Sequence, residues 1–209
     1  MGNLLGRTTS GSEAKVLLVG PSGSGKTTLL YRLKKGIILE DPQPTPGFNV
    51  ETIQHSYRGG TMSFTFWDAA DNYAKMRETW PAGLYPNAEG VIFMVDASAI
   101  SPGRSGEPNE LLRFLMADER IKGLPLLIMA NKCDLLPSKD GQAAYEQAAN
   151  LVWNLLDSDI LLQGLAREGK GPREKVGSSV TQYVGVVEGL TWLATAIERS
   201  RKASRPGSR

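Results

Sequence analysis

The stretch "KVLLVGPSGSGKTTLLYRLKKG", residues 15–36, constrains the fold more than any other part of the chain. "KVLLVG" is a short apolar run ending in Gly20, the pattern of a strand buried on both faces. A glycine loop follows, and then a helix that Gly36 stops. "GPSGSGKT" fits the spacing G-x-x-x-x-G-K-[ST], with Gly20, Gly25, Lys26 and Thr27 at the fixed positions. Glycines there let the backbone wrap a phosphate chain with its amide hydrogens pointing inward, and the helix N-terminus adds partial positive charge. The candidate phosphate-binding residues are Gly20, Ser22, Gly23, Ser24, Gly25, Lys26, Thr27 and Thr28. In this pattern Lys26 reaches the β- and γ-phosphates and Thr27 ligates Mg²⁺.

The remaining chain alternates strands with helices. "NVETIQHSY" and "TMSFTFWD" flank "RGG" as an antiparallel hairpin, after a proline-rich loop, "EDPQPTPGF" (40–48). "GVIFMVDAS" (90–98) and "LPLLIMANKCD" (124–134) read as two further buried strands. The helically spaced "EPNELLRFLMADER" (107–120) lies between them. A helix to about Leu162 precedes the basic, glycine-rich "LAREGKGPREK" (165–175), which reads as a mobile insertion. The final helix, about 186–200, carries Val186, Leu190, Leu193 and Ile197 on one face. This order predicts a mostly parallel sheet covered on both sides, with one antiparallel edge strand from the hairpin.

"NKCD" closes a buried strand and supplies Asn131, Lys132 and Asp134. A carboxylate there accepts hydrogen bonds from guanine N1–H and the 2-amino group, whereas adenine would leave it unpaired in a dry pocket. Lys132 can lie across the base, and Asn131 can brace the phosphate loop. A second loop should support the base from behind, and "SSV" (178–180) provides Ser179 and Val180 as candidates. Cys133, beside the reader, is expected to be filler rather than a redox sensor.

Composition narrows the setting. The formal net charge of +2 is too small to point to nucleic-acid binding. A single cysteine excludes an internal disulfide and suits a reducing compartment. No apolar run approaches the roughly 18 residues of a membrane span, and the N-terminus lacks the apolar core of a signal peptide. These features predict a cytoplasmic protein able to visit the cytosolic face of a membrane. His55, the only histidine, reads as a strand residue rather than a base, and no zinc set is expected.

With "GKTTLLYRLKKG", "PTPGFNVETI", "FWD", "ANKCDL" and "VEGLTWL" in this order, the chain resembles the ADP-ribosylation factor (Arf) branch of small GTPases. The resemblance covers about residues 14–198, with an insertion at about 163–176. It leaves a flexible arm at 1–13 and a basic, disordered tail at 199–209. It implies a three-layer α/β P-loop fold with six mostly parallel strands. It also implies a switch that binds GTP or GDP with Mg²⁺ in membrane trafficking. An exchange factor, an activating protein and effectors come with it as expected partners. By position, Thr45 would meet Mg²⁺ and the γ-phosphate, and Asp68 would hold Mg²⁺ through water. Phe48 and Trp67 would form part of the effector surface; Trp67 could otherwise be core filler.

The second switch departs from the family pattern. D-x-G-G-Q is expected, but the chain has Asp68, Ala69, Ala70, Asp71 and Asn72. Asp71 stands where a glycine amide should approach the γ-phosphate. Its carboxylate, about 5 Å from one phosphate charge at an effective dielectric near 20, would cost about 3 kcal/mol. Asn72 is the remaining candidate for placing the attacking water, one methylene shorter than glutamine. Slow hydrolysis is expected, with a re-registered but competent switch as the alternative. In the first switch, Pro42, Pro44 and Pro46 bias Thr45 toward extended geometry before any ligand binds.

At the N-terminus Gly2 is a candidate for N-myristoylation, although Gly6 occupies the position where Ser or Thr is favoured. One acyl chain binds membrane marginally, and the basic tail "RSRKASRPGSR" could act as a second signal. Two other readings stay open. One is an adaptor that keeps GTP as a structural ligand. The other is a nucleotide kinase, which would need an arginine-rich lid and has no use for "ANKCD".

Overall fold

The protein is described by a computed structural model covering residues 12–39, 47–69, 78, 80–137, 141–157 and 172–204. Its strands are β1 (Ser12–Val19), β2 (Phe48–Tyr57), β3 (Gly60–Ala69), β4 (Ala88–Asp96), β5 (Leu126–Asn131) and β6 (Arg173–Gly177). Its helices are α1 (Lys26–Lys35), α2 (Trp80–Gly83), α3 (Gly106–Met116), α4 (Glu119–Lys122), α5 (Gly141–Asp157) and α6 (Val186–Ala203), with a 3₁₀ turn at Cys133–Leu135.

The strands form one six-stranded sheet in the order β2-β3-β1-β4-β5-β6. The β2–β3 pair is antiparallel and the other pairs are parallel, as the sequence predicts. Period-2 geometry explains the continuous apolar runs: each central strand must satisfy two cores. Leu17, Phe93 and Ile128 point to the face covered by α3 and α5, and Trp80 packs there too. Leu18, Ile92 and Leu127 point to the other, against Leu29 of α1 and Leu190 and Leu193 of α6. The stripe expected on the last helix, Val186, Leu190, Leu193 and Ile197, is buried.

Four boundaries differ from expectation, each for a reason outside local composition. β1 begins at Ser12, inside the segment assigned to the flexible arm, because Ser12 and Glu13 pair with Met62 and Ser63 of β3. The segment 107–120 is two helices instead of one: Asp118 accepts a hydrogen bond from the Arg120 amide at 3.0 Å and starts α4 anew. β6 takes Arg173–Lys175 from the segment assigned to the mobile insertion. Arg173 is anchored there by donating to the carbonyls of Leu124 and Lys122, each at 2.7 Å. The rest of that segment, residues 165–171, lies outside the described residues. Finally, α6 continues to Ala203, so Arg199–Ala203 are helical rather than part of a disordered tail. Arg201 forks onto both carboxylate oxygens of Glu89 at 2.6 and 2.7 Å and also donates to the Glu13 carbonyl. Residues 205–209 lie outside the described residues.

Burial outweighs ion pairing in holding α6, since a fully buried leucine leaves a cavity whereas an accessible ion pair is screened. Leu193→Ala should cost about 2–5 kcal/mol, and Arg201→Ala about 1 kcal/mol or less. Urea unfolding of both variants tests the ranking, and a larger loss for Arg201→Ala would reverse it.

Candidate functional site

The loops that leave the carboxyl ends of β1, β5 and β6, with the start of α1, line a cavity of about 340 Å³. Such crevices are where open α/β sheets take ligands, and the size is that of a small-molecule site. At one end lies the loop from Gly20 to Gly25. Ser22, Gly23, Gly25, Lys26, Thr27 and Thr28 line the cavity. Lys26 is buried, and its ammonium donates to the carbonyls of Gly20 and Pro21 at 3.0 Å each, folding back over the loop it would share with an anion.

Two glycines permit this geometry. A Cβ on Gly20 would sit 2.1 Å from the Met94 carbonyl oxygen, so only glycine lets the loop leave β1 against β4. Gly25 has φ +101°, and a Cβ there would lie 2.4 Å from Asn131 Nδ2. That approach lets the Asn131 amide donate to the Ser24 carbonyl at 2.9 Å. Asn131 Oδ1 accepts from the Val180 amide at 3.2 Å. One buried side chain therefore ties the glycine loop to the loop after β6.

Thr27 donates its hydroxyl proton to Asp68 Oδ2 at 2.9 Å, and Asp68 is 0% exposed at the end of β3. The pair offers hard oxygen donors beside the helix N-terminus, the chemistry that Mg²⁺ prefers. A carboxylate taken wholly out of water calls for such a partner.

Asp134 also lines the cavity and accepts from the Thr181 hydroxyl at 3.2 Å. Lys132 adopts a left-handed conformation, φ 62°, and pairs with Asp96 at 2.7 Å. Burial alone would raise the Asp96 pKa. The Lys132 ammonium and the Ser98 hydrogen bonds outweigh it and hold the carboxyl below its usual range. Val180 lines the cavity. Ser179 does not share that role: it is fully buried and turns its hydroxyl to Thr181 at 3.0 Å. Thr181, Leu39 and Leu135 also face the cavity and were not expected from the sequence. No motif marks them; only the "SSV" assignment pointed near Thr181.

Cys133 is buried, and its thiol donates to the Ala130 carbonyl at 3.0 Å. Burial pushes its pKa up to about 11, so it packs as a neutral thiol.

Thr45, Asp71 and Asn72, together with Gly2, lie outside the described residues. Phe48 and Trp67 meet on the hairpin with ring centroids 6.2 Å apart. Val50 pairs opposite Trp67, and Phe48 and Val50 are 36% and 44% exposed. The Lys15 ammonium sits 3.9 Å over the Trp67 ring. Among the described residues no helix is long and apolar enough to cross a membrane.

A strand–glycine loop–helix under a parallel sheet, facing a loop that ends in a carboxylate, defines a P-loop nucleotide-binding α/β protein. The model of the ADP-ribosylation factor family matches residues 1–197, and the chain belongs to that family. A GTP-binding switch is the general function that membership carries.

Asn131→Ala should weaken GDP and GTP by the same factor, tenfold or more, because the brace ties together two loops that would meet the groups both nucleotides share. Leaving the Ser24 carbonyl and Val180 amide unpaired should also cost about 1–3 kcal/mol of stability. Calorimetric titration with both nucleotides checks this, and selective loss of GTP alone would contradict it.

Native Cys133 should resist iodoacetamide at pH 8 and react freely once unfolded. Its folded pKa, about 11, lies above the ordinary 9.0. The stability gained by keeping the thiol neutral is therefore intact below about pH 9 and lost as pH rises toward 11. Alkylation followed by mass spectrometry reads the first effect, and equally fast labelling of the folded protein would refute it.

Proposed function

We propose that this protein is a guanine-nucleotide switch that binds GTP and GDP with Mg²⁺, recruits effectors and hydrolyses GTP slowly. The observation that carries the reading is the Asn131 brace, which ties the glycine loop to the loop after β6 around a cavity that Asp134 also lines. That arrangement suits a molecule with phosphates at one end and a hydrogen-bond-donating base at the other. Lys26 and the loop amides would hold the phosphates, Asp134 the guanine edge, and Val180 the back of the base. Thr27 and Asp68 would hold Mg²⁺, with Thr45 by kinship; the ion would neutralise charge on the β- and γ-phosphate oxygens.

The slow-hydrolysis part rests on "WDAADN", residues 67–72. Phosphoryl transfer is catalysed mainly by positioning, so a side chain in place of the glycine and a shortened amide should both be costly. The same residues favour a second reading, an adaptor that stays loaded with GTP without turnover. Phe48, Val50 and Trp67 suit an effector contact: they form an apolar patch on the hairpin, whose β3 strand also carries Asp68. By kinship the setting is membrane trafficking on a cytosolic membrane face, with lipidated Gly2 and the basic C-terminal residues as the anchors.

Single-turnover GTP hydrolysis by the wild type and Asp71→Gly, with GDP, GTP and ATP affinities on the same samples, tests the reading. Tight GDP and GTP binding, negligible ATP binding and hydrolysis raised tenfold or more by Asp71→Gly are expected. Binding without turnover in either protein selects the adaptor. Comparable ATP affinity would sink the guanine assignment.

A further inference from the structure

A second cleft of about 360 Å³, as large as the nucleotide cavity, lies where α5, β6 and the start of α6 meet. Among the described residues β6 is the last strand of the sheet. Ala149, Val176 and Val184 provide apolar surface, and Val184 is 39% exposed. Three different elements bring carboxylates to the same opening: Glu146 from α5, Glu174 from β6 and Glu188 from the first turn of α6. Among the described residues none of the three forms an ion pair, and only Glu174 has an oxygen engaged within the protein, accepting from the Lys175 amide at 2.9 Å. The one cation of the lining, Lys175, has its ammonium 5.1 Å over the Trp153 ring.

We propose that this cleft docks an arginine-bearing segment of a partner protein. Apolar surface ringed by carboxylates matches the arginine side chain, whose methylene stem packs on hydrocarbon while its planar fork meets carboxylate oxygens. Converging like charges also draw a cationic partner toward the opening. Of the chain's own segments, 158–171 offers no net positive charge, because Asp159 and Glu168 cancel Arg167 and Lys170. An anionic membrane surface is repelled by the rim.

The cleft shares a wall with the nucleotide cavity. Val180 and Thr181 face one, and Val184 and Gly185 face the other. Ser179 and Val184 exchange both backbone hydrogen bonds at 3.0 Å, fastening the two sides of that loop. The Tyr145 hydroxyl reaches it from α5, donating to Gln182 at 2.9 Å. Occupancy of the cleft therefore alters how Thr181 supports Asp134, and so changes nucleotide release. This coupling rests on the guanine reading; the docking does not.

The test is an NMR titration of the ¹⁵N-labelled full chain with the peptide acetyl-Leu-Arg-Val-Arg-Leu-amide and with its glutamate counterpart. The basic peptide should saturably shift the Val176, Val184 and Gly185 amides. Combined Glu146→Gln, Glu174→Gln and Glu188→Gln should weaken it at least tenfold while leaving GDP affinity unchanged. Equal binding by that variant, equal binding of the acidic peptide, or shifts confined to other surfaces would overturn the docking. Sedimentation showing a dimer that the triple substitution dissolves would make a second copy the occupant and overturn the partner assignment. For the coupling, release of a fluorescent GDP analogue should change at least threefold with bound peptide, and an unchanged rate overturns it. A chain that binds no guanine nucleotide removes the coupling together with the nucleotide reading, while the peptide titration stands.

Discussion

The Asn131 side chain is the interaction on which the site's geometry depends. Its amide spans the gap between the glycine loop and the loop after β6, two segments more than a hundred residues apart in the chain. Backbone groups buried between loops have no sheet ladder to join, so each needs a partner from elsewhere. Asn131 supplies a donor to one and an acceptor to the other, and the missing Cβ of Gly25 gives it room. Ser178 adds a weaker contact, its hydroxyl 3.4 Å from the same Asn131 oxygen. The spacing of the glycine loop and the loop after β6 is thereby fixed by contacts within the protein itself.

The sheet makes this brace possible. Because β1, β4 and β5 are parallel, their carboxyl ends emerge together and deliver Gly20, Asp96 and Asn131 to one rim. The two apolar cores on either side keep the strands in register. A one-residue slip would turn every inward side chain to the opposite face. Asp96 then holds Lys132, whose left-handed backbone turns the chain into the 3₁₀ segment bearing Asp134.

β3 links the interior of the site to the outer surface. Asp68 is buried against Thr27, while Trp67, one residue earlier, points to the opposite side and meets Phe48 and Lys15. Strand alternation alone forces that opposition. A displacement of β3 that changed the Asp68 contact would move Trp67 with it.

Much of this was legible in the sequence because the signals are local. The phosphate loop and its flanking strand and helix, the hairpin about "RGG", and the carboxylate after β5 each announce themselves through spacing and residue type within a dozen positions. The family likeness follows from their order. What tertiary structure decided concerns pairing across long separations. Arg173 and Arg201 read as loop and tail charges until carbonyls from the α4–β5 turn and the carboxylate of Glu89 claim them. Ser179 looks like a base contact until its hydroxyl turns to Thr181, and Thr181 has no pattern to mark it. The acidic cleft needs α5, β6 and α6 side by side before its three glutamates share an opening. Residue type and spacing determine what a segment can become; which distant group satisfies it is settled only when the chain has closed on itself.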